Sequence, residues 1–279
     1  MEPAGDFARD TSIDGGDGRY HANLSDAWAL WGPAGGYVSA IALRAAGDHS
    51  RFARPASYSC SYLGVADFGP VDVEAVTLRT AKRAEAVRVT MAQKGESFLE
   101  AIVWTIDTGM GGLEHDVAPM PDVPGPGGLK AWIDETPQDR NPYVRFWTNI
   151  EERMIEQWFG DWREHPVGPP VRDGWYRFRP GPTFDDPFLD AARSLMIVDT
   201  MGWPAAITAY PDRQPFVAPT IELSVRFHRT ARSSEWLYGR TDAPLAADGL
   251  LWSTSMVWAE DRSLVASGGQ HMLFRPVPR

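Results

Sequence analysis

Four places in the chain put polar or conformationally free residues into otherwise regular apolar patterns. Asp199 follows Leu195, Met196, Ile197 and Val198 on a run that reads as a helix, and Thr220 opens an alternating strand. Gln270 follows Gly268 and Gly269 near the C-terminus, and Gly35 with Gly36 begins another helical run. A carboxylate with a pKa of roughly 4 is ionised at neutral pH and takes a proton from a water within hydrogen-bond reach, more readily if apolar neighbours bury it. A hydroxyl and an amide are neutral donors and acceptors that fix a water without competing for its proton. Backbone amides at a helix start stabilise a developing oxyanion, and residues without Cβ let a carbonyl approach, here the amides of Gly36 and Tyr37. Each position also has a plain reading. Asp199 is then a cap, an ion-pair partner or a solvent-edge residue, Thr220 a β-branched strand residue, Gln270 an edge or bulge residue, and the glycines a turn or a close helix contact.

Other catalytic signatures are missing from the sequence. There is no G-x-S-x-G elbow, and His21, His49, His115, His165, His228 and His271 form no nucleophile arrangement and no paired metal-ligand spacing. Neither a G-x-x-x-x-G-K-[ST] loop nor a G-x-G-x-x-G after a strand occurs, which disfavours nucleotide and nicotinamide chemistry. A hydrolase without metal or cofactor remains.

The 279 residues exceed one average domain, and apolar (43%) and charged (23%) content is ordinary for a globular chain, so a sizeable core is expected. Asp plus Glu outnumber Lys plus Arg by 37 to 27, a net charge of -10, which argues against nucleic-acid or anionic-membrane partners. With Cys60 as the lone cysteine no intrachain disulfide forms, and no apolar leader or 18-residue apolar run is seen, so the expectation is a soluble, cytoplasmic protein. The 12 Trp are unusual. Trp28, Trp31, Trp203, Trp252 and Trp258 are candidates to line an acyl or aromatic-acyl tunnel, against core or interface as the plain reading. Arg226, His228 and Arg229 have the charge to meet phosphates, although exposed strand positions usually carry charge for solubility.

The elements that must position these residues recur in one order. Residues 1–18 are polar and read as a flexible N-terminal arm. Residues 19–107 form a first unit, with a helix over 35–47 and strands over 56–63, 71–79, 86–93 and 98–106, the last two joined by a hairpin at Gln93, Lys94, Gly95 and Glu96. Between Gly109 and Gly128, 10 residues are Gly or Pro, and a linker is expected over 108–142. Residues 143–279 repeat the plan, with a helix over 188–202 and strands over 220–228, 235–240, 250–258 and 264–274. An α+β duplication follows, each half a curved antiparallel sheet around a helix. Strict alternation puts Thr220 on the face of Glu222 and Ser224, away from Ile221 and Leu223, and Pro219 is the residue able to alter that strand start.

The segments GPAGGYVSAIALRAA, APTIELSVRFHR and LVASGGQHMLF, within this tandem plan, resemble the double hot-dog acyl-CoA thioesterases of the thioesterase II branch. The resemblance covers roughly residues 20–107 and 175–275 and is strongest in the second half. It implies a double hot-dog, two antiparallel sheets each wrapped around a long helix and fused in one chain. It also implies an acyl-CoA substrate, of which coenzyme A is a part and not a cofactor, a place in fatty acid metabolism and homo-oligomeric association. Asp199, Thr220 and Gln270 then match the residues that hold and activate the hydrolytic water, with Asp199 the general base, and Gly35 and Gly36 match a glycine pair before the first helix. The rival readings are a hot-dog enoyl-CoA hydratase or dehydratase, whose sites pair Asp with His, and a non-catalytic acyl-CoA binding module.

Overall fold

The computed structural model describes residues 1–109, 111–135, 143–156, 159, 166–210 and 216–277. In chain order the elements are α1 (Phe7–Asp10), β1 (Asp14–Gly16), β2 (Arg19–Leu24), α2 (Gly35–His49), β3 (Arg54–Tyr62), β4 (Gly69–Thr80), β5 (Ala84–Gln93) and β6 (Glu96–Ile106). After short helices α3 (Trp132–Glu135) and α4 (Val144–Trp147) come β7 (Ile150–Met154), β8 (Val171–Phe178), α5 (Pro187–Thr200), α6 (Gly202–Ile207), β9 (Phe216–Val217), β10 (Thr220–Phe227), β11 (Leu237–Ala247), β12 (Leu250–Ala259), β13 (Leu264–Leu273) and β14 (Arg275–Pro276).

The strand order β1-β2-β4-β5-β6-β3-β10-β13-β12-β11-β8-β7 reads the same plan outward from its centre, β3 with β6, β5 and β4 on one side, β10 with β13, β12 and β11 on the other. The two expected sheets are therefore one 12-stranded sheet, because β3 and β10, the first long strand after each long helix, pair antiparallel with Cys60 opposite Leu223 and Tyr58 opposite Val225. Helices α2 and α5 lie together inside its curve. This explains why α2 is buried on nearly every face, from Tyr37 and Val38 through Ile41, Leu43 and Ala46: sheet covers one side and α5 the other. The hairpin expected at Gln93 to Glu96 has Lys94 and Gly95 at φ 54° and 84°, both in the left-handed region that matches strand twist.

Two expectations need correction. The first 18 residues are tied down: Phe7 is buried against Trp28 and Phe178, β1 pairs with β2, and Arg44 Nη1 donates to the Ala8 carbonyl at 2.6 Å. Their polar composition hides a single apolar anchor. Gln270 lies in a central strand with regular register around it, between β10 and β12, and not at an edge or bulge. Gly268 and Gly269 serve close packing, since a Cβ on Gly268 would meet the Ser224 carbonyl oxygen at 2.4 Å and one on Gly269 the Ser253 carbonyl oxygen at 2.4 Å.

The tryptophans divide by place. Trp28 is core, whereas Trp252 is exposed on the outer face of the sheet. Trp175, Trp236 and Trp258 pack with Tyr238 and Met120, and the indole nitrogens of Trp175 and Trp258 donate to the Pro124 and Ala118 carbonyls at 2.9 and 3.1 Å. They fasten the Gly/Pro-rich linker, whose backbone has no ladder of its own, across the second half of the sheet. Trp31 and Trp203 line a cavity.

Candidate active site

The cavity opens where the start of α2 meets the end of α5. It has a volume of about 180 Å³ and is walled by Trp31, Val38, Tyr62, Phe98, Trp203 and Met272, with Gly35, Asp199 and Thr220 as its polar floor. That is small beside the roughly 300–1,000 Å³ of sites for drug-sized ligands.

The two long helices begin differently. Helix α5 has Asp186 as its own cap, accepting from the Phe188 and Leu189 amides at 2.7 and 2.9 Å, followed by Pro187 in the first turn. At the start of α2 the cap position is Ala34, which has no side-chain acceptor. The acceptor comes instead from the other helix, since the Gly36 amide donates to Asp199 Oδ2 at 2.6 Å. Only glycine permits this approach: a Cβ on Gly36 would stand 3.0 Å from Met196 Cα, and one on Gly35 would stand 2.9 Å from Asp199 Oδ2.

Strand β10 brings Thr220 to the same carboxylate by a bulge. Thr220 lies opposite Met272 and Glu222 opposite His271, so Ile221 is the extra residue, and it is 39% exposed. The alternation expected for this strand holds from Leu223 to Phe227 and fails at Ile221. Through that slip Thr220 turns inward, and its Oγ1 stands 3.2 Å from Asp199 Oδ1 and 2.7 Å from Gln270 Oε1. Gln270, buried in β13, closes the ring by donating from Nε2 to the Asp199 carbonyl oxygen at 3.0 Å.

The Thr220 hydroxyl has one proton for two acceptors. With Asp199 protonated the ring runs one way, from the Asp199 carboxyl to Thr220, from Thr220 to Gln270, and from Gln270 to the Asp199 carbonyl. With Asp199 ionised, its charge draws the Thr220 proton to Oδ1. Burial pushes the Asp199 pKa up to about 6, against the Gly36 amide and the Thr220 hydroxyl, which both favour the charged form. Each carboxylate oxygen keeps a lone pair for a further donor, and a water in the cavity is within its scope.

The structure thus brings Asp199, Thr220, Gln270, Gly35 and Gly36 together. The Tyr37 ring does not line the cavity: it is buried, with its hydroxyl donating to the Asp10 carbonyl at 2.7 Å, a placement that concerns the side chain and not the amide singled out in the sequence. The Gly36 amide, expected to face an oxyanion, is engaged by the catalytic carboxylate candidate itself. Gln270 holds Thr220 and Asp199 and does not line the cavity. Arg226, His228 and Arg229 lie toward the opposite end of β10 from Thr220, where His228 Nε2 meets Ser267 Oγ at 2.9 Å and Arg229 pairs with Asp116 at 2.7 Å. The sequence reading missed Tyr62 and Gly202. A Cβ on Gly202 would stand 2.0 Å from Gln270 Nε2, so the glycine just past α5 makes room for the glutamine, and its place after the helix was the available signal.

Among the described residues the duplication builds this site at one end of the helix pair only. At the opposite ends of the helix pair, Gly47 near the end of α2 faces Phe188 at the start of α5, whose ring would lie 2.5 Å from a Gly47 Cβ. A phenyl ring fills there the place that glycine leaves open in the first site.

The family model for the acyl-CoA thioesterase N-terminal domain matches residues 24–106, and that for the C-terminal domain matches residues 115–274. The chain belongs to the acyl-CoA thioesterase family. It is a thioester hydrolase with a double hot-dog fold, and no curated protein matches its sequence. Among solved structures it is similar to a hot dog fold protein of Alicyclobacillus acidocaldarius, at 22% identity over 98% of both chains with a TM-score of 0.81. It is also similar to a putative thioesterase II of Thermobifida fusca, at 21% identity over 96% of this chain and 97% of that one with a TM-score of 0.81. A tesB protein of Mycobacterium avium subs paratuberculosis is 24% identical over 97% and 98% with a TM-score of 0.77. At these identities the structures speak to fold, and the thioesterase assignment stands on the two family domains.

Proposed function

We propose that this thioesterase hydrolyses acyl-CoA by direct attack of water, with Asp199 as general base. The observation that carries the reading is a half-buried carboxylate on the floor of an apolar cavity, with one donor on each oxygen and its pKa pushed up to about 6 by desolvation. The water donates one proton to Asp199 as its oxygen bonds to the thioester carbon, and the carbonyl becomes an oxyanion. When the oxyanion collapses the carbon–sulfur bond breaks, and the leaving thiolate takes the proton back from Asp199. The products are a carboxylic acid and CoA with a free thiol, with Asp199 ionised again. With its proton on Asp199, Thr220 orients the carboxylate and accepts from the water, and Gln270 anchors the end of α5 through the Asp199 carbonyl.

The thioester is already activated, so every role in this sequence falls to protein groups, and the reading needs no resident cofactor. The cavity dimensions favour a compact acyl group. No helix among the described residues is long and apolar enough to cross a membrane, and with the lone Cys60 this supports a cytoplasmic enzyme acting on CoA thioesters, in a homo-oligomer as the family resemblance implies. The test is release of CoA thiol from a panel of acyl-CoAs by the wild type and by Asp199→Asn. Release lost on substitution supports the hydrolase, binding without release points to a non-catalytic module, and hydration of an enoyl-CoA without release points to a hydratase.

A further inference from the structure

With the Gly36 amide engaged by Asp199, the reaction proposed above needs a donor for the oxyanion elsewhere. Two of the indole nitrogens in the cavity wall are committed as well, Trp31 to Tyr143 Oη at 2.7 Å and Trp203 to the Phe216 carbonyl at 3.0 Å. Tyr62, the last residue of β3, lines the same cavity and is placed beside the base. A Cβ on Gly35 would stand 3.0 Å from Tyr62 Oη and 2.9 Å from Asp199 Oδ2, so the space that this glycine leaves open is bordered by the phenol on one side and the carboxylate on the other.

We infer that the Tyr62 hydroxyl donates a hydrogen bond to the thioester carbonyl oxygen and stabilises the oxyanion that forms there. The inference rests on the thioesterase reading of the site. Behind Tyr62 stands a short chain of groups that can donate to its oxygen. Ser39 Oγ, on α2, is 2.7 Å from Tyr62 Oη and 3.7 Å from Cys60 Sγ. When Ser39 donates to Tyr62, the phenol keeps its own proton to donate, and the cavity is the open side for it. Burial and the Asp199 charge hold the Tyr62 pKa well above its ordinary value, so the group stays a neutral donor wherever Asp199 works as a base. A carbonyl lying between the two oxygens then receives water from the Asp199 side while its own oxygen meets Tyr62. No proton moves from the phenol: it strengthens a hydrogen bond as charge develops and relaxes when the carbon–sulfur bond breaks.

Tyr62→Phe keeps the ring and removes the donor. Expected is a fall in kcat of about 10²-fold, the magnitude typical of one lost oxyanion donor, with KM within about threefold and an acid limb still near pH 6. Ser39→Ala, which removes only the group that fixes the phenol, is expected to cost less, about tenfold in kcat. Two unreactive CoA analogues give a second measure, a ketone with CH₂ in place of sulfur and a thioether with CH₂ in place of the carbonyl. Tyr62→Phe is expected to weaken the ketone about tenfold and leave the thioether unchanged. An unchanged kcat, a shifted acid limb, or an equal effect on both analogues overturns the assignment, the second by showing that Tyr62 acts only through Asp199. If the wild type releases no CoA, the thioesterase reading fails while the analogue comparison still decides the role of Tyr62. If it binds neither analogue, both fall.

Discussion

Asp199, in the last turn of α5, caps the first turn of α2 by accepting the Gly36 amide at 2.6 Å. The carboxylate that the proposed chemistry needs as a base is therefore also a joint between the two helices. The positive end of α2 favours its charge, while burial, and its position at the negative end of α5, oppose it. The outcome is a base that is ionised at neutral pH without being strongly stabilised as an anion.

This conflict predicts that Asp199→Asn trades activity for stability. The Asp199 pKa rises from 3.8 to about 6 on folding. The folded state binds the proton more tightly, so stability is highest below the unfolded value, falls as pH rises between about 4 and 6, and stays reduced above that. A shift of about two units corresponds to about 3 kcal/mol, an upper figure for the penalty removed by a neutral side chain. Asparagine also fits the ring, with its oxygen toward Gly36 and its amide nitrogen toward Thr220. Urea denaturation of Asp199→Asn should show a gain at pH 7.5 that disappears near pH 4, alongside a loss of turnover of about 10²–10⁴-fold. Equal stability at both pH values would contradict the account.

The pH dependence of turnover follows from the same group. With Asp199 as the base, kcat/KM should fall about tenfold per pH unit below about 6 and be flat above it. Thr220 lowers that pKa by donating to Oδ1, so Thr220→Val should move the limb upward and reduce the plateau, whereas Thr220→Ser should preserve both. A limb that stays in place in Thr220→Val would place the hydroxyl proton on Gln270 throughout.

Much of this arrangement was legible in residue order, and the exceptions have physical causes. The helix-then-strands repeat showed because alternation and helical spacing are local properties. That the two halves share one sheet was not visible, since the pairing of β3 with β10 joins segments far apart in sequence with no local signature. The facing of Thr220 depended on a bulge, which a strict period of two cannot express. Tyr62 was passed over because its neighbours on the strand read only as a β pattern, and its meaning comes from Gly35, Ser39 and Asp199, all on helices. The oxyanion role given to the Gly36 amide failed for a related reason. An open helix start attracts any acceptor, and the nearest one belongs to the other helix.

Room for Gln270 is a sharper requirement than its own identity suggests. Gly202→Ala would place a methyl 2.0 Å from Gln270 Nε2 and 2.8 Å from Ser253 Oγ, and neither strand around them can yield because both are central in the sheet. The variant should melt earlier by several degrees and lose turnover, and Gly202→Ala combined with Gln270→Ala should recover melting temperature without recovering activity. Differential scanning calorimetry with CoA release separates the two effects. No recovery in the double variant would mean that Gly202 is needed for the α5 to α6 turn and not for Gln270.

The cavity walls should set which acyl groups the enzyme accepts. Trp203 packs edge-on against Trp31 with ring centres 5.8 Å apart, and the pair closes one side of the 180 Å³ space. Each methylene of an acyl chain is worth about 0.8 kcal/mol when buried, a gain available only where there is volume to hold it. Wild-type kcat/KM should therefore rise over the first few carbons and then level or fall. Trp203→Ala opens the wall toward Ala218, Pro204 and Met272, which border the same space, and should extend the rise to longer chains. It also strips the Phe216 carbonyl of its indole donor, so some stability is lost whatever happens to specificity. Trp203→Phe separates these effects, since it loses the same hydrogen bond but keeps a ring in the wall. If the alanine and phenylalanine variants share one chain-length profile, Trp203 is not the boundary, and the limit lies with Phe98 and Val65 on the other side.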